Sequence, residues 1–202
     1  MIDNFKDPKY SFLLNSYPVD VEKAPTAEHA FQIRKLDYAE FKDGEYAVLY
    51  NKMLNSSVRE VRQIARNLDL DSALWDDDRE DIMEEILTLK FKDPVLKQKL
   101  LATGTQELVA GGSKFWGVVD GVGANVLGKL LMGVRKKIQE EICSGLLEAK
   151  RDFLVNCGWC RQTDGDSIFG ECWVPSDNQD QYYDITSAVM VQERMLGLHN
   201  NV

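Results

Sequence analysis

The 202-residue chain reads as an α+β protein, mostly helical with a small number of short strands. Three observations carry that reading. Apolar residues recur at helical spacing in several separate stretches; capping residues stand at the starts of those stretches; and the extended runs are short and bounded by Pro or Gly. A chain of this length buries one sizeable core, which favours one domain plus an appendage over two full domains.

Residues 10–17 read as a short strand ending at Pro18, and residues 19–24 as a second extended piece. Pro25 and Thr26 then start a compact helix reaching Lys35, with Glu28, Gln32 and Lys35 on one face. His29 is expected to pack or cap, since the other histidine, His199, is remote in sequence. Residues 40–50 read as a loop or an uneven helix start. Ser57 and Glu60 form a capping-box pair ahead of a helix whose inner side is Val58, Val61, Ile64 and Ala65. Its Arg59, Arg62 and Arg66 make a basic ridge, read first as a solvated face and second as an approach to phosphate. Trp75, inside the acidic stretch 69–78, is either a core plug or a stacking platform, and nothing local decides between them. Residues 79–91 form an amphipathic helix with Ile82, Met83, Ile86 and Leu89 inward. Asp93 and Pro94 start another to Leu101, and residues 107–110 read as a short strand.

The stretch 115–128 is the one around which the chain is organised. Gly117, Gly121 and Gly123 allow positive φ or close backbone approach, and Asn125 is placed to cap a following helix whose free N–H groups could face a phosphate. A plain tight turn explains the glycines equally well. The stretch lacks both the Gly-Lys-Ser/Thr of a phosphate loop and the spacing of a dinucleotide fold. After it, Leu127, Leu130, Leu131, Val134 and Ile138 share a buried side. Gly128 needs close packing or ligand approach to offset its helix cost, and Arg135 has two readings, ion pair or phosphate ligand. Beyond residue 142 the pattern changes, with a helix over 148–153, a strand over 169–174 and a helix or strand–helix piece over 185–196.

A net charge of −9 argues against a broad nonspecific nucleic-acid surface while allowing a local basic patch. The first residues lack an apolar signal core and no segment approaches a membrane span, so the expected location is cytoplasmic with no membrane partner. Cys143, Cys157, Cys160 and Cys172 all fall in the last third. Plain reduced thiols are the leading reading, ahead of a structural zinc or a redox pair at Cys157–Cys160.

These motifs, taken together, resemble the NADAR or YbiA-like family over about residues 5–140. The matching pieces are 12–18 (FLLNSYP), 25–32 (PTAEHAFQ) with Lys35, Trp75-Asp76 with Arg79 and Ile82-Met83, Lys90-Phe91, 100–104 (LLATG), 115–117 (FWG), and Asp120, Gly121, Gly123, Asn125, Leu127 and Gly128 with Leu131-Met132 and Arg135. The family's Gly-Arg in the middle helix stands here as Ala65-Arg66. The resemblance implies a compact, mostly helical YbiA-like fold, with residues 1–140 as catalytic domain and 141–202 as an extension packed on it. It implies an N-glycosidase that separates a ribosyl or ADP-ribosyl group from a nitrogenous base. The favoured substrate is ADP-ribosylated guanine, in nucleic acid included. The alternatives are a ribosylamino-pyrimidine phosphate of riboflavin synthesis and a noncatalytic ADP-ribose-binding module. Glu28 and Asp120 are the expected catalytic carboxylates. Lys35, Trp75, Trp116, Gly117, Gly121, Gly123, Asn125 and Arg135 are the expected substrate contacts. Water attack on a ribosyl centre calls for no cofactor and no metal, and a covalent route through Lys35 requires a lowered amine pKa that sequence does not reveal.

Overall fold

The structure is a computed structural model that describes residues 1–162, 172–175 and 183–196, the side chains of residues 160, 162, 172 and 174 excepted. The chain divides into two units, Met1–Ile138 and Gln139–Val202. The architecture is mixed α+β and mostly helical, as the sequence predicts.

In the first unit, β1 (Pro18–Val21) and β2 (Ala24–Thr26) pair antiparallel, with Pro18 opposite Thr26 and Val21 opposite Ala24. The connecting Glu22 and Lys23 both hold positive φ, 54° and 67°, the geometry that matches a two-residue turn to the twist of its strands. Arg34 donates two hydrogen bonds to the Glu22 carboxylate and so tethers the turn. The strand expected over residues 10–17 is instead a 3-10 turn at Ser11–Leu13, and the strand begins at Pro18. Phe12 and Leu13 are both buried; a strand would have sent these neighbours to opposite faces.

The centre of this unit is α1 (Ala27–Ile33), a helix with every residue buried and with α2, α3, α4 and both strands packed around it. Burial on all sides is tolerable because each polar side chain finds a partner. Thr26 caps the helix by accepting from the His29 N–H at 3.2 Å. The His29 ring bridges the Thr26 hydroxyl at 2.8 Å and the Ser56 carbonyl at 2.9 Å. His29 therefore caps and packs, as expected.

Helix α2 (Glu45–Leu54) follows Gly44 at φ 83°, where the sequence left a choice between loop and helix. Helix α3 (Val58–Arg66) carries the expected capping box between Ser57 and Glu60. Helix α4 (Ser72–Lys90) starts seven residues earlier than its apolar pattern suggests, because Asp71 caps it through the N–H groups of Ala73 and Leu74. Trp75 then supplies the inward side of the first turns while Asp76 and Asp77 face water. Helix α5 (Pro94–Leu101) has Asp93 as cap and Pro94 at its first position, as predicted. The strand expected over 107–110 reduces to a single parallel bridge between Leu108 and Ile2.

Helix α6 (Val126–Asn156) is continuous where sequence showed a break after residue 142. In the second unit β3 (Trp159–Gln162), β4 (Cys172–Pro175) and β5 (Tyr183–Asp184) form an antiparallel sheet in that order. Helix α7 (Ile185–Met195) is capped by Asp184. Leu154, Trp159, Trp173 and Ala188 form this unit's own small core, and the Trp159 indole donates to Gln192 at 2.7 Å. Cys143 and Cys157 are free thiols; the zinc and redox readings fall on the side chains of Cys160 and Cys172 and on His199, outside the described residues. No helix among the described residues is long and apolar enough to cross a membrane.

Candidate active site

One face of α1 opens onto a cavity of about 520 Å³ that lies wholly within the first unit. Its walls are the 14–16 segment, the Glu28–Lys35 face, Arg62 and Arg66 of α3, Met83 of α4, the 111–113 loop, Trp116 and Leu127. Glu28, Gln32 and Lys35 meet there because the helical spacing read from sequence puts them on one side.

Glu28 is 7% exposed and its carboxylate accepts three hydrogen bonds. Arg62 Nε donates to Oε1 and Nη2 to Oε2, both at 2.8 Å, and Gln32 Nε2 adds a third bond to Oε1 at 2.8 Å. Burial alone would raise the Glu28 pKa. The hydrogen bonds and charge of Arg62, the bond from Gln32 and the charge of Lys35 outweigh it and hold the carboxyl below its ordinary range. The group is an anion at neutral pH. Lys35 is shifted down, mainly by burial, with the charges of Arg66 and Arg79 adding to the shift and that of Glu28 opposing it. Its ammonium stands 5.2 Å from the Trp75 ring centre. Arg66 lines the same wall with no hydrogen bond or ion pair among the described residues. Three cations and one carboxylate thus line the cavity of a chain whose net charge is −9.

The 14–16 wall is held from behind. Lys90, fully buried, donates to the Leu14 carbonyl at 2.7 Å, and the Glu28 N–H donates to the Asn15 carbonyl at 2.9 Å. Burial pulls the Lys90 pKa down to about 7. Asn15 offers its Nδ2 to the Met83 sulfur at 3.4 Å, and its buried Oδ1 has no hydrogen-bond partner among the described residues. The half-buried Trp116 ring, also in the lining, stands edge-on to Phe31, with centres 5.4 Å apart.

The glycine loop does a different job from the one expected of it. The Ala124, Asn125, Val126 and Leu127 N–H groups donate to the carbonyls of Lys114, Gly117, Phe115 and Trp116. The start of α6 is therefore occupied by backbone and presents no free N–H groups of Val126 or Leu127 to a phosphate. Asn125, at φ 51°, does not cap α6 through its side chain. It accepts from the Ala110 N–H at 3.0 Å and donates to the Leu108 carbonyl at 2.9 Å, locking the loop to the 108–110 segment. A Cβ on Gly117 would collide with the Ala110 carbonyl, one on Gly123 with the Gly117 carbonyl, and one on Gly128 with the Leu108 carbonyl. These glycines serve backbone packing.

The structure thus brings Glu28, Lys35 and Trp116 together and leaves the other expected site residues elsewhere. Trp75 is in the core, between Phe31 and Tyr38 with ring centres 5.1 and 5.3 Å away. Arg135 is buried and clamps the turn after α5, donating to Thr103 Oγ1 at 2.6 Å and to the Gln106 carbonyl at 3.0 Å; hydrogen bonds to neutral oxygens replace the ion pair or phosphate. Asp120 is exposed at φ 51° in the tight Val119–Val122 turn and, like Gly117, Gly121, Gly123 and Asn125, does not line the cavity. Sequence reasoning missed Arg62 as the partner of Glu28 and Asn15 as wall. Gln32 was legible, four residues from Glu28; a contact across 34 positions leaves no local periodicity to read.

A cavity of this size lined by three cations beside a buried carboxylate has the charge and the room to take a small anionic ligand. The NADAR domain pattern matches residues 4–139, and the chain belongs to the NADAR family. It is similar to a riboflavin biosynthesis protein of Vibrio vulnificus (strain YJ016), 32% identical over 150 residues. That match takes in 70% of this chain and 39% of the relative, so the chain spans about two fifths of that protein's length. The NMR structure of the E. coli protein YbiA shares the fold at a TM-score of 0.58 and 25% identity, covering 71% of this chain and 86% of that one.

Proposed function

We propose that the protein is an N-glycosidase that hydrolyses the bond between a ribosyl or ADP-ribosyl group and a nitrogenous base, with ADP-ribosylated guanine as the favoured substrate. The observation that carries this reading is the Glu28 carboxylate, buried yet kept ionised within a cavity rich in cations. A phosphate of the substrate sits against Arg66 and Lys35, in place of the glycine-loop seat expected from sequence. Trp116 offers an aromatic face to the base. As the C1′–N bond breaks, its electron pair leaves with the base nitrogen, which takes up a proton from solvent, and positive charge builds at C1′. Glu28 stabilises that charge and accepts a proton from the water that adds to C1′. Being ionised, Glu28 takes the base role. Asp120 takes no part in this scheme.

Two observations favour variants of the same chemistry. The name of the Vibrio relative favours a ribosylamino-pyrimidine phosphate as substrate. The lowered pKa of Lys35 favours a covalent step in which its amine bonds to C1′ as the C1′–N bond to the base breaks, the amine proton passing to the base nitrogen. The ribose ring then opens to an imine, which water hydrolyses to release the sugar and the lysine. Borohydride added during turnover would fix a sugar on Lys35 in that case, and full turnover without an adduct would leave direct hydrolysis.

The deciding experiment supplies purified protein with ADP-ribosylated guanine DNA and, separately, with a ribosylamino-pyrimidine phosphate, and identifies products by mass spectrometry. Released ADP-ribose is expected, and Glu28→Gln should lower the rate at least about 100-fold, the scale of a lost general base. Binding of either compound without cleavage would leave an ADP-ribose-binding module. Full activity in Glu28→Gln would remove Glu28 from the chemistry.

A further inference from the structure

Glu28 is held in a state unsuited to the work assigned to it. A carboxylate has about four lone-pair sites, and three are taken, by Arg62 Nε and Gln32 on Oε1 and by Arg62 Nη2 on Oε2. A base whose lone pairs are bonded to a guanidinium, and whose proton affinity is correspondingly low, is a poor acceptor for a water proton. The two donors differ in how they are held. Gln32 is buried on the same helix as Glu28. Arg62 reaches across from α3 with its side chain 46% exposed and has no other hydrogen-bond partner among the described residues. One helical turn further along α3, Arg66 lines the same cavity with no side-chain hydrogen bond or ion pair among the described residues. An anion seated at Arg66 therefore lies beside the Arg62 guanidinium and competes with Glu28 for it.

We propose that Arg62 is an exchangeable positioning residue: it clamps Glu28 in the free protein, and a substrate phosphate seated against Arg66 takes it over, freeing Glu28 Oε2 for the attacking water. This inference rests on the anion seat of the proposed function and not on cleavage. It links occupation of the phosphate seat to activation of the base, so a base-linked sugar without its phosphate binds to a site that is still clamped. The charged groups facing Glu28 in the clamped state are Arg62 from α3 and Lys35 from the turn after α1. When Arg62 moves, the Gln32 bond to Glu28 Oε1 stays in place, so exchange changes the bonding at Oε2.

The test reads Glu28 directly. Protein labelled with glutamate carrying ¹³C at the carboxyl is titrated by NMR, the Glu28 signal being identified by its loss in Glu28→Gln. With saturating ribose 5-phosphate the Glu28 protonation constant should rise at least tenfold over the free protein, while ribose alone leaves it unchanged. In Arg62→Gln the free protein should already show the raised constant, and ribose 5-phosphate should add little. Arg62→Lys, which keeps the charge and loses the bidentate fork, should fall between the two. Arg66→Ala should weaken ribose 5-phosphate binding at least tenfold by calorimetry. Ribose 5-phosphate that binds without moving the Glu28 titration overturns the exchange, and so does a failure to bind. Neither result depends on whether any glycosidic bond is cleaved, so the N-glycosidase reading fails or survives separately in the product assay.

Discussion

Lys90 shows most sharply how a single residue departs from its local reading. At the last turn of α4 a lysine ordinarily reaches toward water and complements the helix dipole. Here it occupies the position that continues the buried Met83, Ile86 and Leu87 stripe, and its ammonium meets one carbonyl. The unfolded chain holds its proton up to an ordinary lysine pKa near 10.5, whereas the folded chain releases it near 7. Between those values the unfolded state binds more protons, so stability rises with pH across that window, and below pH 7 the burial cost is present in full. Compared with Lys90→Met, the wild type should therefore gain about 2–3 kcal/mol between pH 6 and pH 9. Urea unfolding of both proteins at the two values measures this, and parallel pH profiles would show that Lys90 keeps its proton in the fold across that range. Glu28 shifts stability in the same direction with pH, through a stabilisation gained and not a cost relieved. Its depressed pKa gives a stabilisation present above the ordinary carboxylate range and lost as acid carries the pH below it.

At the scale of elements, the 111–128 segment and α6 set two glycines of one helix against each other. Gly128 lies where a Cβ would strike the Leu108 carbonyl and the Asn125 amide, while Gly133 has open space around it. Replacing a helical glycine by alanine gains up to about 1 kcal/mol where nothing obstructs the methyl group. Gly133→Ala should accordingly raise stability by about 0.5–1 kcal/mol. Gly128→Ala should lower it by about 1–3 kcal/mol, because the close approach of two backbones outweighs the propensity gain. Thermal unfolding of the pair gives the two signs. A gain in both would mean that the loop yields readily and that Gly128 is not needed for its packing on the 108–110 segment. The same loop explains why the glycine-rich stretch was misleading as a ligand motif: glycine density reports that something approaches closely, and here it is the chain itself.

For the whole molecule the governing contrast is between an acidic chain and a basic cavity. Net charge −9 repels anions at long range, and the three cations that line the cavity attract them only at short range. Raising salt from 50 to 500 mM should weaken ribose 5-phosphate binding several-fold, since Arg62 and Arg66 are partly open to solvent. Calorimetry across that range checks it, and a salt-independent affinity would place the ligand away from this wall.

Much of the fold was legible because it rests on short-range rules. The Thr26 cap, the Ser57–Glu60 box and the Asp93-Pro94 start bond within three residues of themselves, and the inward stripes of α3 and α6 follow from periodicity. The Glu28–Gln32–Lys35 face was legible for the same reason. What only tertiary structure decided are the partners that arrive from elsewhere in the chain: Arg62 on Glu28 across 34 residues, Lys90 on Leu14 across 76, and Asn125 on Leu108 across 17. Local sequence sets which backbone conformation costs least and which side of a helix is apolar. Whether a buried charge meets a carboxylate, a carbonyl or a ligand depends on packing between elements, and no spacing along the chain encodes that.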